Sequence, residues 1–131
     1  MVSEQKRILA VDDNGAMLKV VRFTLERAGF HVTTARNGRE AWDLLQREDF
    51  DLVLTDYQMP EMTGETLSRR MREVERLRDV PIIILSAKGL EINLDRLLAE
   101  LKIHEIVLKP FSPSGLVATV EACLDKEARV V

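Results

Sequence analysis

Short, almost wholly apolar runs alternate five times with stretches of helical spacing, and this alternation limits the fold more than any other feature of the chain. Arg7–Val11 is the first run. Gly15–Ala28 follows as a helix, with Met17, Val20, Val21, Leu25 and Ala28 at helical intervals and Gly29 placed as its C-terminal cap. Phe30–Ala35 is a second strand, and Asn37 caps a second helix with Glu40 as its capping-box partner and Ala41, Leu44 and Leu45 inward. Asp51–Thr55 is a third strand, followed by a helix over Gly64–Arg76 with Leu67, Met71 and Val74 on one side. Val80–Leu85 is a fourth strand whose early Pro81 is tolerated because first residues need not donate. Leu90, Leu94, Leu97, Leu98 and Leu101 mark a fourth helix. Glu105–Leu108 is a fifth strand, and Ser112–Leu124 a last helix with Leu116, Val120 and Leu124 inward.

Strands that are apolar throughout, alternating with helices, predict a parallel sheet covered on both faces. Right-handed crossovers then restrict the topology. The 131 residues fit one domain over 1–131 with a core over about 6–125. An apolar fraction of 46% supplies that core and excludes disorder. The net charge of −3, with both signs interspersed, gives no general attraction to nucleic acid or to an anionic membrane, and neither is expected as a partner. The single cysteine, Cys123, cannot close an intrachain disulfide and reads as a small buried apolar residue. With no signal peptide and no apolar run of about 20 residues, the expected location is the cytoplasm.

In open parallel sheets, function lies outside the carboxyl ends of the strands. The polar residues follow that rule. The first strand runs into Asp12 and Asp13, the third into Asp56, the fourth into Ser86 and the fifth into Lys109. Each alone reads as an ordinary turn, cap or surface residue. If those four strands are neighbours, three carboxylates, a hydroxyl and an ammonium meet in one crevice. Two unit charges about 4 Å apart repel by about 4 kcal/mol at an effective dielectric near 20. A fold keeps such a cluster when a cation or proton occupies it. All-oxygen ligands point to Mg²⁺, and a nearby ammonium and hydroxyl suit an anion arriving with it. A carboxylate nucleophile, a metal and an opposing cation are the parts of phosphoryl transfer.

With these residues in place, the chain resembles response-regulator receiver domains of the chemotaxis type over essentially its whole length. The resemblance rests on Val11-Asp12-Asp13, on Asp56-Tyr57-Gln58-Met59-Pro60-Glu61-Met62-Thr63-Gly64, on Leu85-Ser86-Ala87 and on Lys109-Pro110-Phe111. It implies a doubly wound α/β fold, five parallel strands in the order 2-1-3-4-5 with five helices. It implies that Asp56 accepts the phosphoryl group, that Asp13 ligates Mg²⁺ directly and Asp12 mainly through water, and that the Gln58 backbone carbonyl is a further ligand. Ser86 would bond a phosphoryl oxygen, and Lys109 would pair with the phosphoryl group or, before transfer, with Asp56. A cis Lys109–Pro110 bond is implied as well. Gln58 and Lys88 stand where relatives tune autodephosphorylation. Ser86 and Ile106 occupy the switch positions; relatives commonly carry an aromatic residue where this chain has Ile106, which is stiff at χ1 and has no hydroxyl. The usual Gly-Ala before the fifth strand is also missing.

The function so implied is a phosphoacceptor switch of a two-component system, with a histidine kinase or phosphotransfer protein as donor. The output is binding to a separate target protein. Such a protein is not a turnover enzyme beyond self-catalysed phosphotransfer and autodephosphorylation. Ile106 motivates the alternative of a phosphorylation-independent interaction module. An aspartate-nucleophile phosphatase would need an acid at position 58, where Gln58 stands. A flavin carrier would need bare backbone donors where Asp12-Asp13-Asn14-Gly15 is acidic. Trp42 and Tyr57 read as packing residues, and His31 and His104 as isolated surface residues. Val117, Ala118 and Ala122, with Ile92 and Ile106, read as scattered surface apolars or as a docking or dimer face built from helix 4, strand 5 and helix 5.

Overall fold

The computed structural model describes residues 5–87 and 94–128. Lys88, Leu90 and Ile92 lie outside the described residues. The elements are β1 (Arg7–Val11), α1 (Gly15–Arg27), β2 (His31–Ala35), α2 (Gly38–Arg47), β3 (Leu52–Asp56), α3 (Gly64–Glu73), β4 (Ile82–Ala87), α4 (Leu94–Leu101), β5 (Glu105–Lys109) and α5 (Pro113–Ala128). All strand pairs are parallel and the sheet order is β2-β1-β3-β4-β5. The doubly wound order that the resemblance implied is therefore the one found.

Side chains alternate between the two faces of each strand, and two cores result. Ile8, Ala10, Leu52, Leu54, Ile83 and Leu85 face α1 and α5. Leu9, Val11, Val53, Ile82 and Ile84 face α2, α3 and α4. Cys123 is fully buried in the first of these cores.

Several boundaries shift. β3 extends to Asp56, so the acid is the last residue of its strand. β4 starts after Pro81, whose carbonyl accepts from Val53 N at 3.0 Å. α3 stops at Glu73, because Val74 adopts an extended backbone (φ −106°, ψ 123°), and Glu75–Leu77 forms a separate 3-10 turn. The apolar pattern ran on to Val74, yet the chain has already turned there.

The inward stripe of α1 is Leu18, Val21 and Leu25. Met17 is half-buried, and Val20 and Ala28 face out. Two apolar rows run along this helix, and packing against the sheet selects the one carrying two leucines. The other row leaves Val20 48% and Phe23 62% exposed. In α4, Leu97 and Leu101 are buried but Leu98 faces out. After α4, Lys102 adopts φ 53° where a glycine is the usual occupant. The Arg72 guanidinium reaches this corner, donating to Leu101 O at 2.7 Å and Val80 O at 2.8 Å.

Candidate phosphoacceptor site

The crevice is built at the carboxyl ends of β1, β3 and β5. Leaving β1, Asp12 N donates to Ala35 O at 3.1 Å. Asp12 Oδ1 accepts from Asn14 N at 3.0 Å, and the Asn14 side chain in turn accepts from Met17 N at 3.1 Å to cap α1. One Asp12 oxygen thus shapes the turn, and the other accepts from Lys109 Nζ at 3.0 Å. Asp13 is exposed and accepts no hydrogen bond among the described residues.

Asp56 is fixed from both sides of its strand end. Tyr57 N donates to Leu85 O, and Tyr57 O accepts from Gly64 N, both at 2.8 Å. Gly64 opens α3 so close to the strand that a Cβ there would press into the carbonyl oxygen of Asp56 and lie 3.2 Å from Tyr57 Cα. Neither atom can move without moving Asp56. Gly64→Ala is expected to lower stability by about 1–3 kcal/mol, measured by thermal melting, because the added carbon overpacks rigid backbone.

Carboxylate oxygens of Asp12, Asp13 and Asp56 all lie within 4.8 Å of one another. Lys109 Nζ, at the end of β5, reaches Asp56 Oδ1 at 2.9 Å. The Lys109–Pro110 bond is cis. Burial pushes the Asp56 carboxyl up from its ordinary 3.8; the hydrogen bond from Lys109 opposes this, and the charges of Asp12 and Asp13 reinforce it. Burial pulls Lys109 down, but its bonds to Asp56 and Asp12 outweigh that, and the net direction is upward from 10.5. The ammonium stays charged, and the acid it serves holds its negative charge at a cost. An additional cation is favoured here. The donor set suits a hard divalent ion, being all oxygen. Opposed ligands on Mg²⁺ are about 4.2 Å apart, so a 4.8 Å cluster needs only slight closing.

A cavity of about 520 Å³ opens over these groups, lined by Asp13, Asp56, Gln58, Met59, Pro60, Thr63, Ala87 and Lys109. Gln58 therefore borders it. Ser86 sits at the same edge but is fully buried, its hydroxyl 3.5 Å from Ala87 O, and Ala87 is what lines the cavity on that strand. Ile106 is half-buried against the core on the α2-α3-α4 side.

Tyr57 does more than pack. Its hydroxyl donates to Glu65 Oε1 at 3.3 Å. Glu65 also accepts from Arg96 at 3.2 Å and Arg69 at 3.1 Å, and both arginines reach Glu100. A closed ring of alternating charges thus ties the start of α3 to α4. Burial lifts the Glu65 carboxyl, but the bonds from Arg69 and Arg96 prevail and hold it below 4.5. Glu65–Arg69 and Arg96–Glu100 at i,i+4 were the sequence signals for it; the cross-helix pairs left none.

A family model described as the response regulator receiver domain matches residues 8–121. The rice two-component response regulator ORR5 is 36% identical over 110 residues, covering 83% of this chain and 81% of that protein. The chemotaxis protein CheY homolog of Campylobacter jejuni is 35% identical over 122 residues, covering 90% and 92%. The solved chemotaxis response regulator CheY4 of Vibrio cholerae has a TM-score of 0.84 at 30% identity, covering 92% of this chain and 99% of that one. Strand order, the acidic strand ends and these likenesses agree, and the chain belongs to the response regulator receiver domains of two-component systems.

Proposed function

We propose that Asp56 accepts a phosphoryl group from a histidine kinase or phosphotransfer protein, with Mg²⁺ held by Asp13, Asp56 and the Gln58 backbone carbonyl, and with Asp12 acting mainly through water. The observation that carries this reading is the contact of Lys109 with Asp56 at 2.9 Å inside a three-carboxylate cluster. Mg²⁺ bound there would supply charge neutralisation for the phosphoryl oxygens.

An Asp56 carboxylate oxygen attacks phosphorus, the bond from phosphorus to the donor imidazole nitrogen breaks, and an acyl phosphate forms. The imidazole leaves with the bond's electron pair and takes up a proton. Lys109 holds the acceptor oxygen in place before transfer and then faces the new phosphoryl oxygens. Ser86 must turn out of its buried position to bond a phosphoryl oxygen, and that movement shifts β4's end and the equilibrium between two surface arrangements. The output is binding to a separate protein. Gln58 lines the cavity where an aspartate phosphatase would need a titratable acid. The chain therefore performs its own transfer and dephosphorylation and does not turn over a substrate.

Half-burial of Ile106 in the core favours a second reading, a module whose partner binding ignores phosphorylation. Pull-down of partners with and without beryllofluoride and Mg²⁺ separates the two. The switch predicts a partner retained in only one state; retention unchanged by beryllofluoride and by Asp56→Asn supports the module.

A further inference from the structure

We propose that the groove between α1 and α5 is a homodimer interface, closed by a second copy of this chain. The groove has a volume of about 760 Å³, larger than the cavity at Asp56, and lies on the sheet face away from α2, α3 and α4. Val20 and Phe23 rise from its α1 side, and Val117 and Ala118 form its α5 side. Phe23 is 62% exposed, the most exposed large apolar residue among those described. Single exposed apolars are ordinary, but here the exposed Val20, Phe23 and Ala118 and the half-buried Val117 are contiguous in one groove. Val117 and Ala118 therefore belong to this groove and not to a face shared with α4 and β5.

The charges around the groove identify the occupant. α1 carries Lys19, Arg22 and Arg27 against Glu26, a net of +2. Among the described side chains α5 carries Glu121 and Asp125, a net of −2. Lys19, Arg27 and Glu121 line the groove, and none of them forms an ion pair among the described residues. Arg27 lies over the Phe23 ring at 5.6 Å.

A surface with one basic helix beside one acidic helix is complementary to itself. Both helices follow parallel strands and run in the same direction. A two-fold axis along the groove therefore lays α1 of one copy on α5 of the other, twice. Phe23 meets the small residue Ala118 of the second copy, and Arg27 meets Glu121. Ala28, Glu121 and Asp125 line one adjoining cavity, so the acidic end of α5 lies level with the end of α1, as this pairing requires. The result is a layer of four packed helices.

Sedimentation of the full chain over a concentration series tests this. The expected result is a reversible dimer in the micromolar range. Phe23→Asp should weaken it at least about tenfold. Arg27→Glu and Glu121→Arg should each weaken it about tenfold, and the double variant should recover to within about threefold of the original. All three positions are exposed, and thermal melts of each variant check that the fold is kept. A chain that sediments as a monomer at about 1 mM overturns the proposal. So does a dimer indifferent to Phe23→Asp, or one broken instead by Leu108→Asp on the exposed surface of β5. A monomer in which Phe23→Asp blocks phosphoryl uptake from a phosphotransfer protein assigns the groove to that partner and likewise overturns it.

Discussion

Replacing Asp56 with asparagine is expected to raise the melting temperature of the metal-free protein while abolishing phosphoryl uptake. Three carboxylates within 4.8 Å repel, and one shared ammonium does not neutralise them. Removing one charge should stabilise the fold by about 1–3 kcal/mol, a rise of several degrees. The pH dependence fixes the sign. The folded-state pKa of Asp56 is raised from 3.8, so its contribution to stability is fully present below 3.8 and is lost as pH rises through the raised value. The gain in Asp56→Asn should therefore be present at neutral pH and vanish in acid. A melting temperature that falls at neutral pH would mean that the Lys109 bond outweighs the repulsion. Uptake is a separate readout, and it should drop to background because asparagine offers no anionic oxygen.

Lys109→Ala should have the largest effect on stability. Its ammonium lies 2.9 Å from Asp56 and 3.0 Å from Asp12, and its side chain is only 19% exposed. Without it, two buried carboxylates lose their cation, which should cost about 2–4 kcal/mol in the metal-free protein. Millimolar Mg²⁺ should recover most of this, because a ligand that binds only the folded state stabilises it in proportion to its saturation. The pKa of Lys109 is raised from 10.5, so its contribution is fully present below 10.5 and disappears as pH rises through the raised value. Wild-type protein should show an alkaline loss of stability that Lys109→Ala lacks. Thermal melts in chelator, with Mg²⁺ and across alkaline pH read all of these. A variant as stable as wild type in chelator would show that the ammonium does not hold the cluster together.

The fold was legible because buried parallel strands are apolar throughout, and Ile82–Leu85 or Leu52–Leu54 can hardly be anything else. The gathering of Asp12, Asp13, Asp56 and Lys109 followed from the strand ends once the family resemblance supplied the neighbour order. What escaped depended on choices that packing makes. α1 has two apolar rows, and only contact with the sheet decides that Leu18 and Leu25 go inside while Val20 and Phe23 stay out. α3 ends at Glu73 although Val74 continues the pattern, because the backbone needs a turn before the 3-10 segment. The Tyr57–Glu65–Arg96 link joins residues up to 39 positions apart, and no spacing rule reaches that far. Lys102 takes a glycine's backbone conformation without being glycine. The inward position of Ser86 is a rotamer matter: the sequence placed the residue at the right strand end but said nothing of which way its hydroxyl points.

Phosphorylation of Asp56 with Mg²⁺ is read by intact mass after incubation with acetyl phosphate, run on wild type with Mg²⁺, wild type with chelator, and Asp56→Asn with Mg²⁺. A gain of one phosphoryl group is expected in the first sample alone. Equal uptake in chelator would rule out a metal-dependent transfer, and uptake that survives Asp56→Asn would rule out Asp56 as its site.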